Sequence, residues 1–207
     1  MQQKSEGMKL HPVATEEAAI GLREQPLVAV DMGFSGSSKS CGVALSVPGE
    51  EPKAKAHHFG SAADAVAGFL TDHRGGVVVL EAPLSAAFNA KRNPRSRGDF
   101  EEVDKPRWWS FGAGAQMALS ALYFCRRLDE LVPQNFSIHL IEGFVVGDES
   151  GAHAEVAHRL ARAFRGNCRA AWHTVSTVGE TVSISEWFCL PRGQACPVIL
   201  QPMGVQL

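Results

Sequence analysis

Apolar and polar positions follow two rhythms along this chain, and the switches between them outline its elements. Leu27-Val28-Ala29-Val30 is an unbroken apolar run that stops at Asp31-Met32-Gly33. Such a run predicts a strand buried on both faces. After a Gly/Ser loop over 33–38, Cys41, Val43, Leu45 and Val47 alternate with Gly42, Ala44 and Ser46. That is the period-two pattern of a strand, and Pro48-Gly49 ends it. Residues 53–59 predict a third strand, so the first three segments form an antiparallel meander. Ahead of them, residues 1–25 are polar, with one or two helical turns expected over 14–22.

From Ser61 the period lengthens. Ser61 with Asp64 three residues later reads as a capping box, and Ala62, Val66, Phe69 and Leu70 follow at helical spacing until Gly75-Gly76. Val77-Val78-Val79-Leu80 repeats the buried-strand pattern and also ends in an acid, Glu81. A long polar loop covers 84–109; loops of that length inside compact domains are usually functional or mobile. A helix is expected over 111–131, with Met117, Ala121, Phe124, Leu128 and Leu131 on one stripe and Pro133 just beyond. Residues 136–146 predict a strand containing Glu142. Residues 151–165 predict a helix that buries Val156, Ala157, Leu160, Ala161 and Phe164. Two or three more strands are expected between 174 and 200. The order is strand, strand, strand, helix, strand, helix, strand, helix, then a small C-terminal β appendage.

A length of 207 residues suits one domain with a real core. The five cysteines are scattered without a Cys-x-x-Cys pair, so neither a zinc ribbon nor a secreted disulfide framework is expected. No stretch approaches the ~20 apolar residues of a membrane helix, and the first residues lack the apolar run of a signal peptide. A cytoplasmic protein without a membrane partner is the expectation. Net charge is −2, so any grip on nucleic acid has to come from a local basic patch.

Asp31 and Glu81 both close apolar strands at the edge where open α/β sheets gather ligands. Two carboxylates on adjacent central strands repel unless something positive lies between them. Mg²⁺ and Mn²⁺ prefer such oxygen donors, and a pair of these ions can activate water and stabilise the leaving oxygen in phosphodiester cleavage.

This order, with Val28-Ala-Val-Asp31-Met-Gly33, Ser40-Cys-Gly-Val-Ala44 and Val79-Leu-Glu81-Ala-Pro-Leu84, resembles the RNase H-like superfamily over about residues 27–166. Within it the chain looks closest to the RuvC-type resolvases and to a bacterial family of predicted RNase H-like nucleases. The resemblance implies a mixed five-stranded sheet flanked by helices and a Mg²⁺- or Mn²⁺-dependent, two-metal nuclease. Asp31 and Glu81 would stand at the first-strand and fourth-strand acid positions. Such families also place an acid or His early on the last helix. At about 100° per residue, His153 shares the sheet-facing side with Val156, Leu160 and Phe164, whereas Glu155 points away. A His-x-x-Asp pattern would put an acid at 156, where this chain has Val156. Glu142, costly to bury unless paired or metal-linked, completes the candidate set of Asp31, Glu81, Glu142 and His153; Asp148 and Glu149 are substitutes from the preceding loop. Resolvases of this type act as dimers, and no heptad seam here specifies one.

The 91–109 loop carries Lys91, Arg92, Arg95, Arg97 and Arg107 beside the pair Trp108-Trp109. Positive charge with stacking surfaces is how single strands and junctions are held, although Asp99, Glu101, Glu102 and Asp104 interrupt the run. The competing account is a solvated loop anchored by its tryptophans. Arg159, Arg162, Arg165 and Arg169, on and after the last helix, read either as a second phosphate-facing row or, the favoured reading, as its exposed face. The leading function is therefore a nuclease acting on DNA or RNA. One rival is an RNase H-like binding module without turnover. Another is an ATP phosphotransferase of the actin-like or sugar-kinase type, suggested by Asp31-x-Gly33-x-Ser35 and disfavoured by the lack of a second domain copy.

Overall fold

In the computed structural model, residues 10–13, 15–33, 35, 38–89, 91, 94–95, 113–146, 152–167, 171–173, 180–183 and 198–202 are described. The strands are β1 (Leu10–Pro12), β2 (Leu27–Asp31), β3 (Cys41–Ser46), β4 (Lys53–His57), β5 (Gly75–Glu81), β6 (Ser85–Phe88), β7 (Pro94–Arg95), β8 (Ser137–Val146), β9 (Ala171–His173), β10 (Glu180–Ser183) and β11 (Val198–Pro202). The helices are α1 (Glu16–Gly21), α2 (Phe59–Asp72), α3 (Ala113–Leu131) and α4 (His153–Arg165).

The main sheet is mixed and runs β4-β3-β2-β5-β8-β11-β9, with β1 also paired to β8. β3 is antiparallel to both β2 and β4, whereas β2, β5 and β8 are parallel. Five of these strands are the expected ones. The sheet nevertheless has eight, because the long β8 offers a second edge. β1 pairs with its first half and β11 with its second. Two of the C-terminal strands thus extend the main sheet instead of forming a separate appendage, while β10 joins β6 and β7 in a three-stranded sheet. That small sheet begins inside the segment expected to be only loop.

β2 and β5 are buried along their whole lengths, as the unbroken apolar runs require. Their side chains alternate between two cores. Val28, Val30, Val78, Leu80 and Leu140 face one core with Val66 and Leu70 of α2 and Phe124 and Leu128 of α3. Leu27, Ala29, Val77, Val79 and Ile141 face the other with Ala19 of α1 and Val156, Leu160 and Phe164 of α4. Burying a side chain of that size is worth about 1.5–3 kcal/mol, so register is strongly specified across the central strands.

Two helix starts deserve correction. α2 begins at Phe59 after His58, so Ser61 lies within the first turn and its hydroxyl donates to the His58 carbonyl at 3.0 Å instead of capping the helix. α4 starts at His153. It ends at Gly166, whose φ of 80° provides the left-handed turn after the last helical residue.

Candidate active site

Cross-strand pairing sets four residues in one row. Asp31 is opposite Glu81 on one side and Gly42 on the other, and Gly42 is opposite Ala56. Paired residues of neighbouring strands point to the same face, so Asp31 and Glu81 both lie on the α4 face, at the carboxyl ends of two parallel central strands. Both are nearly buried, at 7% and 8% exposure.

α4 comes down on this row because the row has a gap. A Cβ on Gly42 would collide with the backbone carbonyl of His153. With only hydrogen there, the first residue of α4 reaches the sheet, and His153 Nδ1 donates to Asp31 Oδ2 at 2.7 Å. Asp31 also hydrogen-bonds to the carboxyl of Glu81. Glu81 Oε1 in turn accepts the N–H of Val145 on β8 at 3.2 Å. Burial pushes the Asp31 carboxyl above its ordinary range, opposed by the charge and hydrogen bond of His153 and by the bond to Glu81. Two carboxyls this close need a proton or a cation between them.

Glu142 is elsewhere. It pairs with Leu80, one position before Glu81, so its side chain points to the α2/α3 face. There it is fully buried, and its Oε2 accepts the N–H of Leu84 at 2.8 Å. The pairing of β5 with β8 stops at Leu80 and Glu142, and Pro83 brings no N–H for a ladder. Glu142 satisfies an amide of the departing chain. That bond serves one of its two oxygens, and on this face Glu142 does not join the other three candidates.

The chemistry of the Asp31–Glu81 pair fits a hard divalent cation. Mg²⁺ is commonly held by one or two carboxylates plus waters and substrate phosphates. Among the described residues, no group of three His, Cys, Asp or Glu side chains is arranged to hold a metal. Of the four expected ligands, Asp31, Glu81 and His153 lie together and Glu142 does not; His153 is placed as the partner that orients Asp31. Val156, where an acid was the alternative, is buried in the α4 core.

Of the basic-loop candidates, Lys91 is exposed and its N–H donates to Asn89 Oδ1 at 2.9 Å, and Arg95 lies in β7 opposite Ala87. Arg92, Arg97, Arg107, Trp108 and Trp109 lie outside the described residues, as do Asp148, Glu149 and Arg169. The helix arginines are engaged within the fold. Arg159 pairs with Glu155, Arg162 with Glu51 at 3.5 Å, and Arg165 donates to the Ser46 carbonyl at 2.9 Å.

Gly42 was missed in the sequence, where it reads as one small member of an alternating strand. Its signal was available: Gly42, Ala44, Ala54 and Ala56 are all small and occupy one face of two adjacent strands. A face stripped of side chains invites a helix close to the backbone. The described helices include none long and apolar enough to cross a membrane.

Comparison with protein-family models, curated proteins and solved structures returned no match. The functional reading rests on the site.

Proposed function

We propose that this chain is an RNase H-like, metal-dependent nuclease that hydrolyses phosphodiester bonds of DNA or RNA. The observation that carries the reading is the Asp31–Glu81 pair: two nearly buried carboxyls in one cross-strand row, at the carboxyl ends of parallel strands. The sheet order β4-β3-β2-β5-β8, with β3 alone reversed among those five, also suits that superfamily.

Asp31 and Glu81 would hold Mg²⁺ or Mn²⁺. A bound ion supplies an acidified water and neutralises charge that develops on the phosphate. The chain's own residues prepare the place. His153 fixes the rotamer of Asp31, the Val145 N–H holds Glu81, and Gly42 admits the helix that carries His153. The burial of both acids keeps their fields unscreened by water.

The test is cleavage of labelled single-stranded, duplex, branched and hybrid substrates in Mg²⁺ and Mn²⁺ by wild type, Asp31→Asn and Glu81→Gln. Activity present in wild type and lost in both variants supports the reading. Cleavage that persists in both removes it.

A binding module without turnover is the second reading. It is favoured by the position of Glu142 on the far face, which leaves two of the candidate carboxylates at the site among the described residues. Calorimetry separates the two: an inactive module has no need to bind Mn²⁺, whereas the nuclease binds it through Asp31 and Glu81.

A further inference from the structure

His73 hydrogen-bonds to the Phe69 carbonyl, His153 meets Asp31 and His158 meets Glu51. His11 and His139 have each other instead. They face one another across the parallel strands β1 and β8, with ring centroids 5.7 Å apart and planes tilted by 36°. Among the described residues, neither ring forms a hydrogen bond or an ion pair.

Register places the pair at the end of an apolar row. Leu27 of β2 pairs with Val77 of β5, Val77 with His139, and His139 with His11. Leu27 and Val77 are fully buried, His139 is half-buried and His11 is exposed. A histidine suits a half-exposed position, with its ring body covered and its polar tip in water. That accounts for one of the two and not for a second in direct register with it.

The spacing carries the argument. With Zn–N bonds of ~2.0–2.1 Å and ring nitrogens roughly 1.2 Å from the ring centre, a shared ion lies ~3.2 Å from each centroid. Ligands at the tetrahedral angle of ~109° then hold the centroids ~5.2 Å apart. The ~90° of a square-planar or octahedral ion brings them to ~4.5 Å. The observed 5.7 Å is about 0.5 Å from the tetrahedral value, a shift that small rotations of the exposed His11 side chain supply. Imidazole also suits Zn²⁺ as carboxylate suits Mg²⁺. Burial, then the charge of His11, holds the pKa of His139 below its ordinary value, so that ring is neutral at pH 7.5, the form that binds a metal.

We infer that His11 and His139 form a two-histidine Zn²⁺ site, with water in the remaining tetrahedral positions, that clips β1 onto β8. A clip matters there because β1 is three residues long, against roughly 5–6 for a typical strand. The site is separate from the carboxylate pair. Val77 precedes Glu81 by four positions on β5, which is ~13 Å at ~3.3 Å per residue. The inference therefore does not depend on the nuclease reading.

The experiment is calorimetric titration of the full chain with Zn²⁺ at pH 7.5, beside hydrogen exchange of the Val13 amide, which bonds the Leu140 carbonyl at 3.0 Å. His11→Gln and His139→Gln are compared with wild type and two controls. One control is His58→Gln, at the exposed histidine before α2; the other is Asp31→Asn/Glu81→Gln, which removes the carboxylate pair. The expected result is a Zn²⁺ site present in wild type and in both controls. Its affinity should fall by about 100-fold or more in each pair variant, since even an outer partner of a metal ligand is worth about 10–100-fold. Zn²⁺ at ~100 times its Kd should slow Val13 exchange by about 100-fold in wild type and leave it unchanged in His11→Gln. No Zn²⁺ binding by wild type overturns the inference, as does a site that survives His11→Gln or vanishes in either control. Binding without slower Val13 exchange overturns the clip. Because His11 is exposed, His11→Gln carries the test alone if thermal melts show that His139→Gln fails to fold.

Discussion

Glu81 and Glu142 are one step out of register on neighbouring parallel strands, and that step puts their carboxylates on opposite faces of the sheet. Each still reaches the other's strand: Glu81 accepts from Val145 of β8, and Glu142 accepts from Leu84 just after β5. The two acids therefore tie together the same pair of strands while serving different ends, one at the candidate site and one in the opposite core.

Their substitutions should behave differently. Glu142→Gln keeps an oxygen for the Leu84 N–H and is expected to retain cleavage within a few-fold. Glu81→Gln is expected to abolish it. Glu142→Ala leaves a buried amide unsatisfied, at a cost of about 1–3 kcal/mol, read by chemical denaturation. Loss of activity in a well-folded Glu142→Gln protein would show that Glu142 takes part in the chemistry.

Asp31→Asn should separate stability from activity. The folded-state pKa of Asp31 lies above its unfolded value because burial disfavours the charge. The folded protein therefore binds this proton more tightly. Stability gained from that proton is present at low pH and is lost as pH rises through the folded pKa, so at pH 7 the buried charge is a net burden. Asparagine removes the charge and can still accept from His153. The expected outcome at pH 7 is a Tm equal to or above wild type together with no cleavage. A marked fall in Tm would mean that the His153–Asp31 ion pair outweighs the burial cost.

Gly42→Ala should act on the site from beneath. The added methyl meets the His153 carbonyl, so the start of α4 must shift and the Asp31–His153 bond must lengthen or break. Overpacking of this kind typically costs about 1–3 kcal/mol. Cleavage is expected to fall by about 100-fold or more, in line with losses from misplacement of ~1 Å. Gly60→Ala, in the first turn of α2 with open space around it, is the control and should change neither.

The attachment of β1 should depend on pH. His11 and His139 are cross-strand partners with ring centroids 5.7 Å apart, and burial, then the charge of His11, lowers the pKa of His139. A histidine with a depressed folded pKa contributes stability above its unfolded value, ~6.5, and loses it as pH falls from there through the folded value. The amide of Val13, bonded to the Leu140 carbonyl at 3.0 Å, should exchange faster at pH 5.5 than at pH 7.5 after correction for intrinsic rates. His139→Phe should remove that dependence. An unchanged dependence in His139→Phe would assign it to another group.

The main elements and the two strand-end acids could be read from local pattern, because burial on both faces demands an unbroken apolar run and a helix demands its own period. β2, β5 and the apolar face of α4 are legible for that reason, and so is the sheet-facing side of His153. The three-residue β1 has no such pattern. Its strand character comes from the free half-edge of β8, which lies more than a hundred residues away in the chain. Glu142 was legible as buried but not as facing away from Asp31, since adjacent strands have no sequence relation that sets their register. Only the packed sheet decides it, and a shift of one residue reverses every side chain. The same holds for Gly42 and His153: each is ordinary in its own segment, and their contact exists because two cores close on opposite faces of one sheet and bring α4 down where a side chain is missing.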